Sequence, residues 1–296
     1  MKISSAHLTL YTSISLLGLN GLFSNGLPVD ATTLTQVRSV FAGITLLLFI
    51  ICMRGTIKLP DKRSALTVYG IGILLGLHWV TFFYAMQSAS VAIGMLALYT
   101  YPIFTIFIEP FFTRKKVQML DIFLAVVVLI GLFIIVSDHL PDNLVNDSSA
   151  QGVSGNVILG VVSGIASAML FAFRNTLQKY CCTAVRSDTL MLHQMLVITL
   201  LLALFIDIDT LQQLDGTQWF YIVILGVITT AIAHTLLVKS YKLFAAKTVA
   251  MVSCLQPVLG SLFAWLVLDE TISIYTAVGG SIILGVAAYE STKAAT

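Results

Sequence analysis

The chain has 296 residues, of which 58% are hydrophobic and only 10% charged, and its mean hydropathy is +0.96. A soluble domain carries about 25% charged residues, so this composition excludes a water-facing surface over most of the molecule and implies lipid as the solvent. The net charge of +2 gives no electrostatic basis for binding nucleic acid.

Roughly 20 mostly apolar residues are needed to cross a bilayer. Ten stretches approximate that length: 7–25, 33–53, 66–86, 90–112, 120–137, 154–173, 189–206, 217–238, 248–268 and 274–291. The first follows a single Lys2 and ends without a small-residue cleavage motif, so it is expected to stay as a span. Turn chemistry separates the runs, as in Asn25-Gly26-Leu27-Pro28 and Leu140-Pro141-Asp142-Asn143.

Charge alternates between the loops. Every Lys and Arg except Arg38 falls at the N-terminus, at the C-terminus or after runs two, four, six and eight, from Lys2 and Arg54 through Arg114 and Arg174 to Lys247 and Lys293. The other loops carry acids, among them Asp30, Asp138, Asp207, Asp215 and Asp269. This positive-inside pattern predicts a multi-pass protein of the cell (inner) membrane with both termini cytoplasmic. Cys52, Cys181, Cys182 and Cys254 have neither CxxC nor zinc spacing and read as free thiols. The 138–153 loop is too short for a domain, so function is expected inside the bilayer.

The chain repeats weakly at a shift of about 155. Thr33-Leu34 matches Thr189-Leu190, the LLLFI of 46–50 matches the LALFI of 202–206, and Pro102 matches Pro257. The prolines are the stronger signal, because Pro28, Pro60 and Pro141 lie in loops. Five spans per half is an odd number, so the second half enters from the opposite side. The expected fold is all-α integral membrane, with ten transmembrane helices in two inverted five-helix repeats: 1–140, an outer linker at 141–153, and 154–296.

Several features together resemble the drug/metabolite transporter superfamily and, within it, the EamA-type ten-helix exporters. They are Arg38 early in helix 2, the Phe82-Phe83-Tyr84-Ala85 end of helix 3, a proline midway in helices 4 and 9, and the Leu268-Asp269-Glu270 end of helix 9. The first half departs from the pattern, with Lys115 where Glu270 aligns. The resemblance implies export of a small organic metabolite such as an amino acid or a related compound.

Pro102 and Pro257 would free the carbonyls of Leu98 and Ser253, giving either a flexing pair of helices beside a pathway or static kinks. Arg38 reads as the only basic residue inside a span, roughly 6–9 Å in. It is a candidate for holding a substrate carboxylate, against snorkelling to the interface. His193 and Gln194 occupy the aligned place in the second half. Glu109, read as the only acid well inside a span, is a possible proton carrier or a partner of Arg114-Lys115-Lys116. His78, Trp79, Tyr99, Tyr101 and Gln256 share one depth and are candidates to wall a substrate site. A continuous helix would turn only one of Tyr99 and Tyr101 fully inward. His234 is a candidate proton handler or a packed histidine. Gly72-x-x-x-Gly76 and Gly160-x-x-x-Gly164 read as close-packing sites.

No Walker loop, HExxH or paired-aspartate set occurs, so neither an ATPase nor an intramembrane enzyme is expected, and no cofactor. The leading reading is a secondary transporter working by alternating access on a small molecule in lipid. The alternative is a membrane-embedded sensor or scaffold without transport.

Overall fold

The computed structural model describes residues 4–24, 27–89, 91–137, 155–268 and 271–293, all helix, turn or loop with no strand among them. The helices are α1 (Ser5–Gly18), α2 (Asn20–Ser24), α3 (Ala31–Cys52), α4 (Lys62–Ser88), α5 (Val91–Leu98), α6 (Tyr101–Thr113), α7 (Met119–Ser137), α8 (Gly155–Cys181) and α9 (Ser187–Leu202). They continue as α10 (Ile208–Gln212), α11 (Gly216–Ile224), a π-helical segment (Leu225–Ile232), α12 (Ala233–Leu243), α13 (Ala246–Ser253), α14 (Gln256–Leu268) and α15 (Ile274–Lys293). The linker at 141–153, Asp138 and the Asp269-Glu270 pair lie outside the described residues.

Eight segments among the described residues are long and apolar enough to cross a membrane, from Ala31–Cys52 to Ala246–Val267. They correspond to expected spans two to nine, and the chain is a multi-pass membrane protein. The first expected span falls short because its helix breaks at Leu19 after 14 residues. The last, Ile274–Lys293, has 20 residues but is not one of the eight.

Acidic caps start several helices. Asp30 accepts from the amides of Thr32 and Thr33 at 2.8 and 3.0 Å, and Asp61 from that of Ser64 at 2.8 Å. Asp215 and Gln218 form a reciprocal capping box. Apolar side chains cover the outside, Leu204 being 91% and Phe111 84% exposed. Only lipid makes such a surface tolerable.

The halves interleave. The α3–α9, α4–α8, α1–α12 and α7–α15 contacts each pair a helix from 1–140 with one from 154–296. Glycines permit such approaches: a Cβ on Gly160 would meet that of Ala89 at 2.7 Å, and, where α4 also meets α9, one on Gly72 would meet that of Val197 at 3.0 Å. The loops rich in Lys and Arg gather at one end. There Thr189 donates to the Thr56 carbonyl at 2.7 Å, and His7 meets the Ser291 carbonyl at 3.1 Å.

Candidate functional site

Expected spans four and nine each divide into two helices at a short turn, the chain staying in the right-handed helical region through Thr100 and Cys254. Pro102 is the second residue of α6 and Pro257 the second of α14. A proline is tolerated in the first turn of a helix, where no intrahelical donor is needed, but it cannot continue the preceding one. The connecting turns tighten to three-residue bonds: Thr100 N to Ala97 O at 3.3 Å, and Cys254 N to Met251 O at 3.2 Å.

This break corrects the expectation for Tyr99 and Tyr101. The turn at Thr100 interrupts the 100° step of a continuous helix, so both rings turn inward, 4% and 1% exposed, with centroids 6.4 Å apart. The Tyr101 hydroxyl donates to the Ala250 carbonyl at 2.9 Å, tying the two broken helices together. The Tyr99 hydroxyl approaches Gln256 Oε1 at 3.4 Å.

The aromatic wall runs on from there. Tyr101 meets Phe171 edge-on at 5.0 Å, and Phe171 stacks on His78 at 4.4 Å. His78 Nδ1 lies 2.7 Å from Ser167 Oγ. Its neighbour Trp79 meets His234 edge-on at 5.4 Å. Trp79 also lies under the Arg38 guanidinium, 4.8 Å from its ring centroid.

Arg38 is 3% exposed, so its head group does not snorkel. Its Nε donates to Thr230 Oγ1 at 2.9 Å, and its Nη2 approaches Asn20 Oδ1 at 3.5 Å. Thr230 sits on the π-helical segment and donates its own hydrogen to the Leu225 carbonyl at 2.6 Å, which leaves its oxygen free to accept. Arg38, Trp79 and His234 thus form one contiguous set, and His78, Tyr101, Tyr99 and Gln256 another. The adjacency of His78 and Trp79 joins the two.

Arg38 is not the only basic residue inside a span. The sixth expected span ended at Phe173, but α8 continues to Cys181 and carries Arg174 in its interior, fully buried. Its Nη1 donates to Asn175 Oδ1 at 2.7 Å, its Nε to Gln194 Oε1 at 3.0 Å, and its Nη2 to that same oxygen. Gln194 is therefore a partner of a cation, while His193 bonds the Ile57 carbonyl at 2.9 Å beside a groove of about 450 Å³ at the basic end. The ion pairs among the described residues are Arg186–Asp188, Lys247–Asp121 and Lys293–Asp121; neither Arg38 nor Arg174 takes part.

Asp121 and Glu290 are buried too, each within about a turn of a helix end. The partners of Glu109 are not Arg114-Lys115-Lys116. Its carboxylate accepts the amides of Ala246 at 2.8 Å and Lys247 at 3.0 Å, at the start of α13, and the Tyr180 hydroxyl at 2.5 Å. No set of three His, Cys, Asp or Glu suited to a metal occurs among the described residues.

Comparison with known proteins gives this arrangement a family. The chain is 24% identical to the uncharacterized transporter YxxF of Bacillus subtilis over 86% of its own length and 79% of that protein's. It is 22% identical to an uncharacterized transporter of Archaeoglobus fulgidus over 92% and 91%. A solved crystal structure of a chain 20% identical covers 98% of this chain and 97% of its own, with a TM-score of 0.80, and so shares the fold. The EamA-like transporter family model matches residues 4–137 and 158–289. This all-helical, multi-pass chain belongs to the EamA-like transporter family.

Proposed function

We propose that the protein is a secondary transporter that exports a small organic metabolite, an amino acid or a related compound, by alternating access at a midplane site. The observation that carries this reading is the pair of broken helices. α5–α6 and α13–α14 break at matching prolines, and their ends bring Tyr99, Tyr101 and Gln256 together beside buried His78, Trp79, Arg38 and His234. Irregular backbone at membrane depth is tolerated only where it is shielded by protein or lines a water-filled cavity. Discontinuous helices at the midplane are also a recurrent way for transporters to present a substrate site.

The topology in this reading is ten spans in two inverted five-helix repeats, with α1–α2 and α15 as the first and tenth and both termini in the cytoplasm. The two stretches matched by the family model, 4–137 and 158–289, support the division into halves. The gathering of basic loops at one end supports the orientation. Energy comes from the substrate's own gradient, from exchange, or from protons carried at Glu109 or His234.

Purified protein reconstituted into vesicles, with labelled amino acids and metabolites and with or without a pH gradient, tests the reading. Saturable movement of a panel member into the vesicles supports it. Binding of a panel member without movement favours a sensor or scaffold.

A further inference from the structure

The Arg174 network contains an argument about what is missing from it. A guanidinium only donates, so its acceptors fix the orientation of the amides around it. Asn175 Oδ1 and Gln194 Oε1 both point at Arg174. With its oxygen committed, Gln194 donates through Nε2 to Gln178 Oε1 at 3.2 Å. The network therefore terminates in two amide donors, Asn175 Nδ2 and Gln178 Nε2, and neither finds an acceptor. Asn175 stands beside the Tyr241 hydroxyl, which has no other partner. Arg174, Asn175, Gln178, Gln194 and Tyr241 are each 0–1% exposed.

Buried polar groups are normally satisfied, and buried cations are normally paired. Here a buried guanidinium is bonded only by neutral acceptors, and two amide donors one and four residues further along the same helix lack a partner, with no carboxylate among the set. The complement of such a set is an acceptor that carries one negative charge. A carboxylate fits, whereas a phosphate dianion would leave one charge uncompensated.

We infer that Arg174, with Asn175 and Gln178, is a second anion station that binds the carboxylate of a small organic substrate. The inference rests on the transport reading above and adds a residue set and a chemical requirement to it. Arg38 comes seven residues after the start of α3 at Ala31, and Arg174 seven residues before the end of α8 at Cys181. Each guanidinium thus lies roughly 10 Å in, one from the acidic end of the bundle and one from the basic end. Phe171 of the aromatic wall lies one turn before Arg174 on α8, and Trp79 of the same wall lies under Arg38.

The test is thermal unfolding of the full chain in detergent, titrated with amino acids and monocarboxylic acids, each beside its primary amide. At least one carboxylate raises the wild-type Tm and its amide does not. Arg174→Gln weakens that response about tenfold or more. Gln178→Glu supplies the missing anion internally, so it raises the Tm without ligand and abolishes the response; this variant guards against a folding defect in Arg174→Gln. Equal stabilisation by acid and amide, no response to any carboxylate in the wild type, or a wild-type response in Arg174→Gln overturns the inference. Vesicle transport separates the two claims. If Arg174→Gln moves a carboxylate substrate with wild-type KM, the station falls and transport stands. If the wild type binds the carboxylate but moves nothing, the transport reading falls and the station stands.

Discussion

The Glu109 carboxylate near the end of α6 accepts the backbone N–H of Ala246, the first residue of α13, at 2.8 Å. One broken helix thereby caps the other from the opposite half of the chain. A helix N-terminus favours negative charge and has unsatisfied N–H groups, which explains an acid at this depth without invoking the basic cluster that follows it. Glu109→Gln keeps the shape and loses the charge. The purified protein is expected to lose about 1–2 kcal/mol of stability, measured by denaturation in detergent. Wild-type stability in this variant would show that the cap contributes nothing.

Arg38 is held by Thr230 and by the face of Trp79. Arg38→Ala is expected to lower kcat/KM for carboxylate substrates at least about tenfold, with an unchanged elution profile in size-exclusion chromatography. Arg38→Lys is expected to recover little, because an ammonium reproduces neither the planar stack nor the fork of donors. Unchanged kinetics in the alanine variant would remove Arg38 from the site.

Pro102→Ala and Pro257→Ala each restore a backbone donor and favour a continuous helix. Both are expected to slow turnover more than they weaken binding, read from kcat and from Kd on the same preparation. Wild-type turnover in both variants would make the breaks purely architectural.

The glycines divide sharply. A Cβ at Gly164 would meet that of Ala97 at 2.5 Å, whereas one at Gly285 meets nothing within 4 Å. Gly164→Ala is expected to destabilise by about 1–3 kcal/mol. Gly285→Ala is expected to be neutral or stabilising by up to about 1 kcal/mol, since alanine is the better helix former. Equal melting temperatures for the two variants would contradict the α5–α8 packing.

Much of this fold was legible in the sequence because lipid imposes a strict compositional code. Apolar run length and alternating loop charge marked the spans from 33 to 268, and the two aligned prolines marked the irregular helices. What could not be read was how far each proline acts: a gentle kink and a two-residue turn between helices leave the same residue pattern. That difference decides whether both Tyr99 and Tyr101 turn inward. Arg174 was missed because it follows immediately after the apolar run ending at Phe173, where a span ordinarily stops. A signal was present, since Gln178, four residues on, continues the helix with an amide on the same face as Arg174. The partners of Glu109 are backbone amides 137 and 138 residues away, and no side-chain pattern announces those.

The central claim is that the junction of the broken helices opens to each side of the membrane in turn, and thiol labelling tests it most directly. In a background with Cys52, Cys181, Cys182 and Cys254 replaced, Gln256→Cys is exposed to a membrane-impermeant thiol reagent from either face of reconstituted vesicles. The account predicts reaction from both faces, with label from one face blocking the other and a transported substrate protecting against both. Reaction only with a lipid-soluble reagent would place Gln256 against lipid and contradict it.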